Sequence, residues 1–293
     1  MVARIPPMRT TSLILKLVKF EHTIFALPFA FTAMLLAVDT SSASLAAPLV
    51  LWIIAAMVGA RTLAMALNRL IDAGIDARNP RTASREIPSG QISRTAVGAV
   101  CVLSLALLVL ATTQLEPITR VLWPIPVALF LVYPYAKRFT WACHLVLGIS
   151  IGLAPVGAWL ATTGSLTWTP VLLGIANATW IAGFDIIYAT GDAEFDHGEG
   201  LNSVPTRFGI ARGLRFTRVL HVVTVGALGA IYFTASLGSI YLATVVVIAG
   251  LLAWENSLVS PNDLSRVNAA FFTINGVVSM VYLVGVIADL GAF

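Results

Sequence analysis

The sequence predicts an all-helical integral membrane protein, and three observations predict it. Of its 293 residues, 58% are hydrophobic and only 11% are charged, against roughly 25% charged in an ordinary soluble domain. Uncharged apolar stretches of about 18 to 25 residues follow one another, each long enough to cross roughly 30 Å of hydrocarbon as a helix. The charges that do occur collect in alternate loops between those stretches. A water-soluble core cannot absorb such a composition, so the bilayer is the solvent. The net charge of +4 needs no nucleic-acid partner, because membrane topology accounts for the basic residues.

About nine spans are expected, in a single domain covering residues 1–293. The first runs near 22–38, after Arg4, Arg9, Lys16 and Lys19; no small-residue cleavage site ends it, so it reads as a retained span rather than a leader. The second, near 46–71, leads into a polar loop carrying Arg78, Arg81, Arg85 and Arg94. Spans near 95–113 and 119–136 flank a short loop with Arg120, and Lys137 and Arg138 follow them. Spans near 143–161 and 168–191 are joined by the uncharged Thr162 to Thr167, and the charged segment Gly191 to Arg215 comes next. The remaining spans lie near 216–235, 239–254 and 267–289, with Arg218 just inside the first of them and Arg266 in the last long loop. Collecting Lys and Arg on the cytoplasmic side sets the N-terminus inside and the C-terminus outside, with Arg120 alone opposed. Cys101 and Cys143 lack the paired spacing of a zinc or redox site and are expected to pack without a disulfide. Trp168 and Tyr241, near span ends, are expected to be interfacial anchors.

Polar residues are concentrated at two span ends. Span two closes as Arg61-Thr-Leu-Ala-Met-Ala-Leu-Asn68-Arg69-Leu-Ile-Asp72-Ala-Gly-Ile-Asp76. On a helix Asn68, Asp72 and Asp76 project from one face, with Arg61 two turns deeper. Span six closes as Asp185-Ile-Ile-Tyr188-Ala-Thr-Gly-Asp192-Ala-Glu-Phe-Asp196, which keeps Asp185, Tyr188, Asp192 and Asp196 on one side. A lone carboxylate there reads as a solvated helix end. Arg61 and Asp185, however, sit a turn or two inside their spans, where an unpartnered ionisable group costs several kcal/mol. Two matching stripes therefore point to one shared site. Clustered carboxylates repel unless a cation lies between them. Mg²⁺ takes oxygen ligands and binds one or two carboxylates together with substrate phosphates. The stripes could thus hold Mg²⁺ against a diphosphate, with Arg78, Arg81, Arg85, Lys137, Arg138 and Arg207 on the same side to bind phosphate. The positive-inside rule alone would also place those basic residues there.

These two acidic motifs resemble the aspartate-rich motifs of the UbiA family of intramembrane prenyltransferases, and the resemblance covers nearly the whole chain. Tyr133-Pro-Tyr-Ala-Lys137-Arg-Phe-Thr140 and Asn79-Pro-Arg-Thr82-Ala-Ser-Arg85-Glu-Ile-Pro88-Ser-Gly90 resemble two further family segments. The resemblance implies nine helices around a central cavity, capped on the cytoplasmic side and opening laterally to a polyprenyl chain. It implies that Asn68, Asp72, Asp76, Asp192 and Asp196 form the Mg²⁺-diphosphate site, that Arg85, Tyr133 and Lys137 contact the diphosphate, and that Asp185 lies deeper, near the prenyl C1 and the acceptor. Asp185, Asp72 and Asp192 are the expected catalytic carboxylates, with Tyr188 beside the substrate. Two departures stand out: Arg69 where many members carry Asp, which is expected to help hold phosphate instead, and Gly191 where a larger residue is common.

Phe20-Glu21-His22-Thr-Ile-Phe-Ala-Leu-Pro28-Phe and Gly200-Leu-Asn-Ser-Val-Pro205-Thr-Arg-Phe-Gly209 look most like 4-hydroxybenzoate polyprenyltransferases, including the branch linked to futalosine-route menaquinone synthesis. The expected partners are then polyprenyl diphosphate, an aromatic acid of 4-hydroxybenzoate or naphthoate type, and membrane lipid of a prokaryotic cell membrane. Arg61 matches the position where such members bind the acceptor's carboxylate. Other acceptors of the family, namely haem, a chlorophyll precursor or homogentisate, stay open, as does a secondary transporter with a carboxylate ion site. His197 falls at a loop end and is not expected to be the base. His22, His144 and His221 are expected to be satisfied by neighbours at the membrane boundary.

Overall fold

The computed structural model describes Leu17 and residues 23–291. Arg4, Arg9, Lys16 and Lys19, read above as preceding the first span, and Phe20, Glu21 and His22, read as part of a family-resembling segment, lie outside the described residues. Among the described residues the chain is helical apart from turns and one isolated bridge between Ser260 and Asp263. In order, the helices are α1 (Thr23–Asp39), α2 (Ala47–Asp76), α3 (Arg94–Thr113), α4 (Thr119–Leu122), α5 (Pro124–Ala136), α6 (Cys143–Thr163) and α7 (Trp168–Ala189). A 3₁₀ turn (Thr190–Asp192) leads into α8 (Ala193–Gly198) and α9 (Val204–Phe208). Long helices α10 (Ile210–Thr234) and α11 (Ser239–Ser257) follow, and a π-helical turn (Ala269–Ile274) opens α12 (Asn275–Asp289).

Seven of these segments are one by one long and apolar enough to cross a membrane: α2, α3, α6, α7 continued through α8, α10, α11, and the π turn with α12. Two of the nine expected spans differ. Helix α1, at 17 residues, falls just short of the length of the other seven. The segment expected at 119–136 is split at Trp123 into α4 and α5, where Pro124 starts the second piece. Proline there carries no amide hydrogen and interrupts a continuous helical ladder.

Helices α6, α7, α10, α11, α12 and α1 pack as a ring, each against the next. Its interior is filled by Phe29, Trp180, Tyr241 and Tyr282, all essentially inaccessible to solvent. Tyr241 is therefore not an interfacial anchor. Asp289 accepts from the amides of Gly238 and Tyr241, fixing the start of α11 so that the ring turns inward, where its hydroxyl donates to the Leu228 carbonyl at 2.8 Å. Trp168, by contrast, is 74% exposed. Helices α2 and α3 form a second pair around Leu63, Ala66, Val97 and Cys101, joined to the ring through α5, which touches both α2 and α6. Both cysteines are free.

The π turn has an identifiable cause. Asn275 donates to the carbonyls of Ala270 and Phe271, taking over acceptors that a widened turn leaves open, and also to Glu255 Oε1 at 2.8 Å. Its own oxygen accepts from the Trp180 indole at 2.6 Å. This arrangement stacks Phe271 on Tyr188 at 4.3 Å between ring centres.

Small residues bring α6 and α7 into direct backbone contact, the packing that a lipid environment favours. A Cβ added at Gly148 would run into the Ala178 carbonyl, and one at Gly152 would lie 2.8 Å from the Gly174 carbonyl; at Gly157 nothing lies within 4 Å. Gly148→Ala should thus lower the melting temperature of the detergent-solubilised protein, at a cost of about 1–3 kcal/mol. Gly157→Ala should leave it unchanged or raise it. Equal melting temperatures for the two variants would show that the α6–α7 contact is not tight.

Candidate active site

The ends of α2 and α7 lie at the same, charged end of the bundle. Asn68, Asp72 and Asp76 descend one face of α2, while Asp185 and Tyr188 on α7 continue through the 3₁₀ turn to Asp192 and Asp196 on α8. The two stripes face each other across a cavity of about 190 Å³, into which Arg81, Arg85, Tyr133, Lys137 and His144 also project. Arg138 lies on the outer side of this cavity and lines a more open groove of about 540 Å³ with Arg78, Arg94 and Glu199.

Buried carboxylates persist only when paired, and here most have a definite partner. Asp72, almost fully buried, accepts from Lys137 Nζ at 2.7 Å, from Asn68 at 3.2 Å and from Arg138 at 3.3 Å. Asp76 binds Arg85 at 2.7 Å through Oδ1, while its buried Oδ2 has no hydrogen-bond partner. Arg81 grips Asp192 through two nitrogens, donates to the Tyr188 hydroxyl, and lies 4.6 Å over the Tyr188 ring. Asn79 adds a 3.3 Å bond to Asp192. Burial opposes the charge on Arg81, yet its hydrogen bonds and charge interactions with Asp192 and Tyr188 together outweigh that and hold the guanidinium above its ordinary pKa.

The loop after α2 delivers these cations. Thr82 donates to the Asp76 carbonyl at 3.0 Å and the Arg85 amide donates to Thr82, folding the chain back over the helix end so that Arg81 and Arg85 return to the acidic stripes. Lys137 arrives from the end of α5, where its carbonyl accepts from the Asn202 amide at 2.6 Å and ties that end to the loop before α9.

Other residues fall elsewhere. Arg61, seven residues before Asn68 on α2, is half-buried and does not line the cavity. Arg69 is not a phosphate ligand: it is 4% exposed, points away, and donates to the Leu17 carbonyl at 3.3 Å. A helix step of one residue turns it about 100° from Asn68, off the polar face. A Cβ at Gly191 would meet nothing within 4 Å, so sterics do not require glycine there. His197 is exposed outside the cavity lining. His144, read from the sequence as a boundary histidine, instead binds Asp185 at 2.7 Å inside the site. Asn79 and Ser203 also line the cavity without having been singled out. Neither belongs to a periodic polar stripe; both fall inside segments that resemble the family, and that resemblance was the signal that could have found them.

Among the described residues no three His, Cys, Asp or Glu side chains converge as a ready metal-ligand set, since the carboxylates are turned toward basic partners. The donors themselves suit a hard divalent cation. They are oxygens, they are clustered, and the Asp76 Oδ2 that lacks a hydrogen bond has a lone pair to give.

The UbiA prenyltransferase family model matches residues 26–277. The chain belongs to this family. The 4-hydroxybenzoate octaprenyltransferases of Vibrio campbellii and Sodalis glossinidius are 30% and 32% identical to it, each alignment covering 78% of this chain and 79% of the relative. The apo structure of a UbiA homolog from Aeropyrum pernix superposes with a TM-score of 0.83 at 31% identity, covering 92% of this chain and 98% of that one. A UbiA homolog from Archaeoglobus fulgidus, solved bound to DMAPP and Mg²⁺, shares the fold at a TM-score of 0.74 and 19% identity over 96% of this chain and 99% of its own. With seven apolar spans among the described residues, this UbiA-family protein is an integral membrane protein.

A cavity that sets arginines and a lysine among carboxylates is suited to a polyanion with its counter-cation. Inorganic diphosphate with Mg²⁺ should therefore raise the melting temperature, by the equivalent of about 2.7 kcal/mol at a hundred times Kd. Mg²⁺ with sulfate should not. The shift should shrink in Arg85→Ala and Lys137→Ala; an undiminished shift in both would remove these residues from the anion site.

Proposed function

We propose that this UbiA-family protein transfers a polyprenyl group from polyprenyl diphosphate to an aromatic acid of the 4-hydroxybenzoate type, using Mg²⁺, to make a quinone precursor. The observation that carries the reading is the pair of acidic stripes facing each other across one cavity, with Arg81, Arg85 and Lys137 between them. The curated relatives named 4-hydroxybenzoate octaprenyltransferase, at about 30% identity over most of both chains, support the acceptor class. The neighbour solved with DMAPP and Mg²⁺ supports the donor and the metal. On this reading the charged end of the bundle is cytoplasmic and the protein resides in a prokaryotic cell membrane.

In the mechanism, Asn68, Asp72, Asp76, Asp192 and Asp196 hold the metal with the diphosphate. When bound, Mg²⁺ neutralises the leaving group as a Lewis acid. Arg81, Arg85 and Lys137 exchange their carboxylate partners for phosphate oxygens, and the planar guanidiniums can do so with paired hydrogen bonds. Tyr133 adds a hydroxyl from the cavity wall, and Tyr188 presents its ring beside the prenyl C1. The C1–O bond to diphosphate breaks, a ring carbon of the acceptor bonds to C1, and the ring proton leaves to a base. Asp185, deepest of the second stripe, stands near that carbon. Arg61, on the same face of α2 two turns further in, receives the acceptor's carboxylate below the cavity. A water-poor cavity protects the allylic cation from hydrolysis.

The test incubates purified protein in proteoliposomes with labelled polyprenyl diphosphate and a panel of aromatic acids. Prenylated acid should form with Mg²⁺, vanish with chelator and return on adding Mg²⁺, and fall to background in Asp72→Ala and Asp192→Ala. Diphosphate binding without product from any aromatic acid would overturn the acceptor assignment.

A further inference from the structure

His144 has no role in the reading above, yet it is the residue most firmly tied to Asp185. It stands in the first turn of α6, where the Gly148 and Gly152 contacts with α7 bring the two helices close enough for a direct bond. Its ring is almost fully buried, and its two nitrogens have different partners. Nε2 lies 3.3 Å from the Val204 amide nitrogen, and Nδ1 lies 2.7 Å from Asp185 Oδ2. A backbone amide can only donate, so Nε2 is the acceptor and the ring's hydrogen sits on Nδ1, pointing at the carboxylate. Asp185 is thereby held through one oxygen. Its side chain stays 24% exposed and lines the cavity.

Further contacts tie the Val204 side of this bond to the site. Val204 opens α9 behind a capping box in which the Ser203 hydroxyl accepts from the Thr206 amide and the Thr206 hydroxyl accepts from the Ser203 amide. The preceding residue, Asn202, donates its amide to the Lys137 carbonyl, and its own carbonyl lies 3.4 Å from Cys143 Sγ. One imidazole thus links the loop before α9 to the deepest carboxylate of the cavity.

We propose that His144 is a positioning residue for Asp185: through Nδ1–H it fixes the carboxylate's rotamer and leaves the other oxygen directed at the acceptor, while Nε2 anchors the loop that closes over the site. This rests on the prenyl-transfer reading, in which Asp185 works on the acceptor. An orienting partner of this kind changes the rate of the bond-forming step and leaves diphosphate binding alone.

Two conservative variants separate the two contacts. In His144→Asn the side-chain amide nitrogen falls near the position of Nδ1 and can still donate to Asp185, without reaching Val204. In His144→Gln the amide reaches toward Val204 but offers no donor at the Nδ1 position. The experiment measures kcat, the KM for prenyl diphosphate, and the Mg²⁺-diphosphate melting shift for the full-length protein in proteoliposomes or detergent. His144→Ala should lower kcat about tenfold to a hundredfold, with KM and melting shift unchanged. His144→Asn should recover most of that loss and His144→Gln should not. Adding His144→Ala to Asp185→Ala should cost little more than Asp185→Ala alone, because the histidine acts through the carboxylate.

Three results would overturn the proposal: wild-type kcat in His144→Ala, recovery by Gln but not Asn, or fully multiplicative losses in the double variant. Should His144→Ala fail to fold, the Asn and Gln variants still decide between the two contacts. A wild-type protein that forms no prenylated acid overturns the prenyl-transfer reading and this proposal together, which is distinct from an active wild type with an equally active His144→Ala.

Discussion

A carboxylate brought to the edge of a hydrocarbon layer must find a cation or a donor, because desolvating it alone costs several kcal/mol. Much of the architecture at the charged end of this bundle follows from that requirement. Asp72 is met by Lys137 and Arg138 from the turn after α5, Asp76 by Arg85 and Asp192 by Arg81 from the loop after α2, and Asp185 by His144 from α6. Apart from Asp76 and Arg85, nine residues apart, these pairs join segments distant in sequence, so the ionic partners also fix how the helix ends and loops meet. The same pairs keep the acidic stripes from repelling each other.

That arrangement has a functional consequence. Cations that neutralise these carboxylates are also the groups that bind phosphate best, and Arg81 and Arg85 are part of a loop anchored at Thr82 rather than of a rigid helix. On the proposed reading, exchange of partners, carboxylate for phosphate, proceeds by local side-chain movement and would free carboxylate oxygens for the metal. The π turn contributes by setting Phe271 under Tyr188, which is also in contact with Arg81. The buried network of Asn275, Glu255 and Trp180 thus supports the site from the far side of α7.

Helix packing sets the remaining distances. Without a hydrophobic force between apolar helices in lipid, close approach depends on small side chains. Gly148, Gly152 and Gly174 supply it along α6 and α7, and the same approach brings His144 within reach of Asp185.

The sequence by itself determined the membrane character, the order of most helices, and the two polar stripes. Composition and helical period are local properties, and a bilayer leaves the chain few alternatives to helix. It also marked Asn68, Asp72, Asp76, Asp185, Tyr188, Asp192 and Asp196, because steps of three and four put each set on one face. What only the tertiary structure decided are the partners across the cavity and the residues whose direction depends on a neighbouring helix. Tyr241 turns into the core because Asp289 fixes the start of its helix, Arg69 turns out of the site toward Leu17, and the fourth expected span breaks at Pro124. His144 carries no periodic signal at all. Its place in the site arises from a glycine-mediated helix contact and an amide some sixty residues later in the chain, and pairings over such separations leave no trace in local pattern.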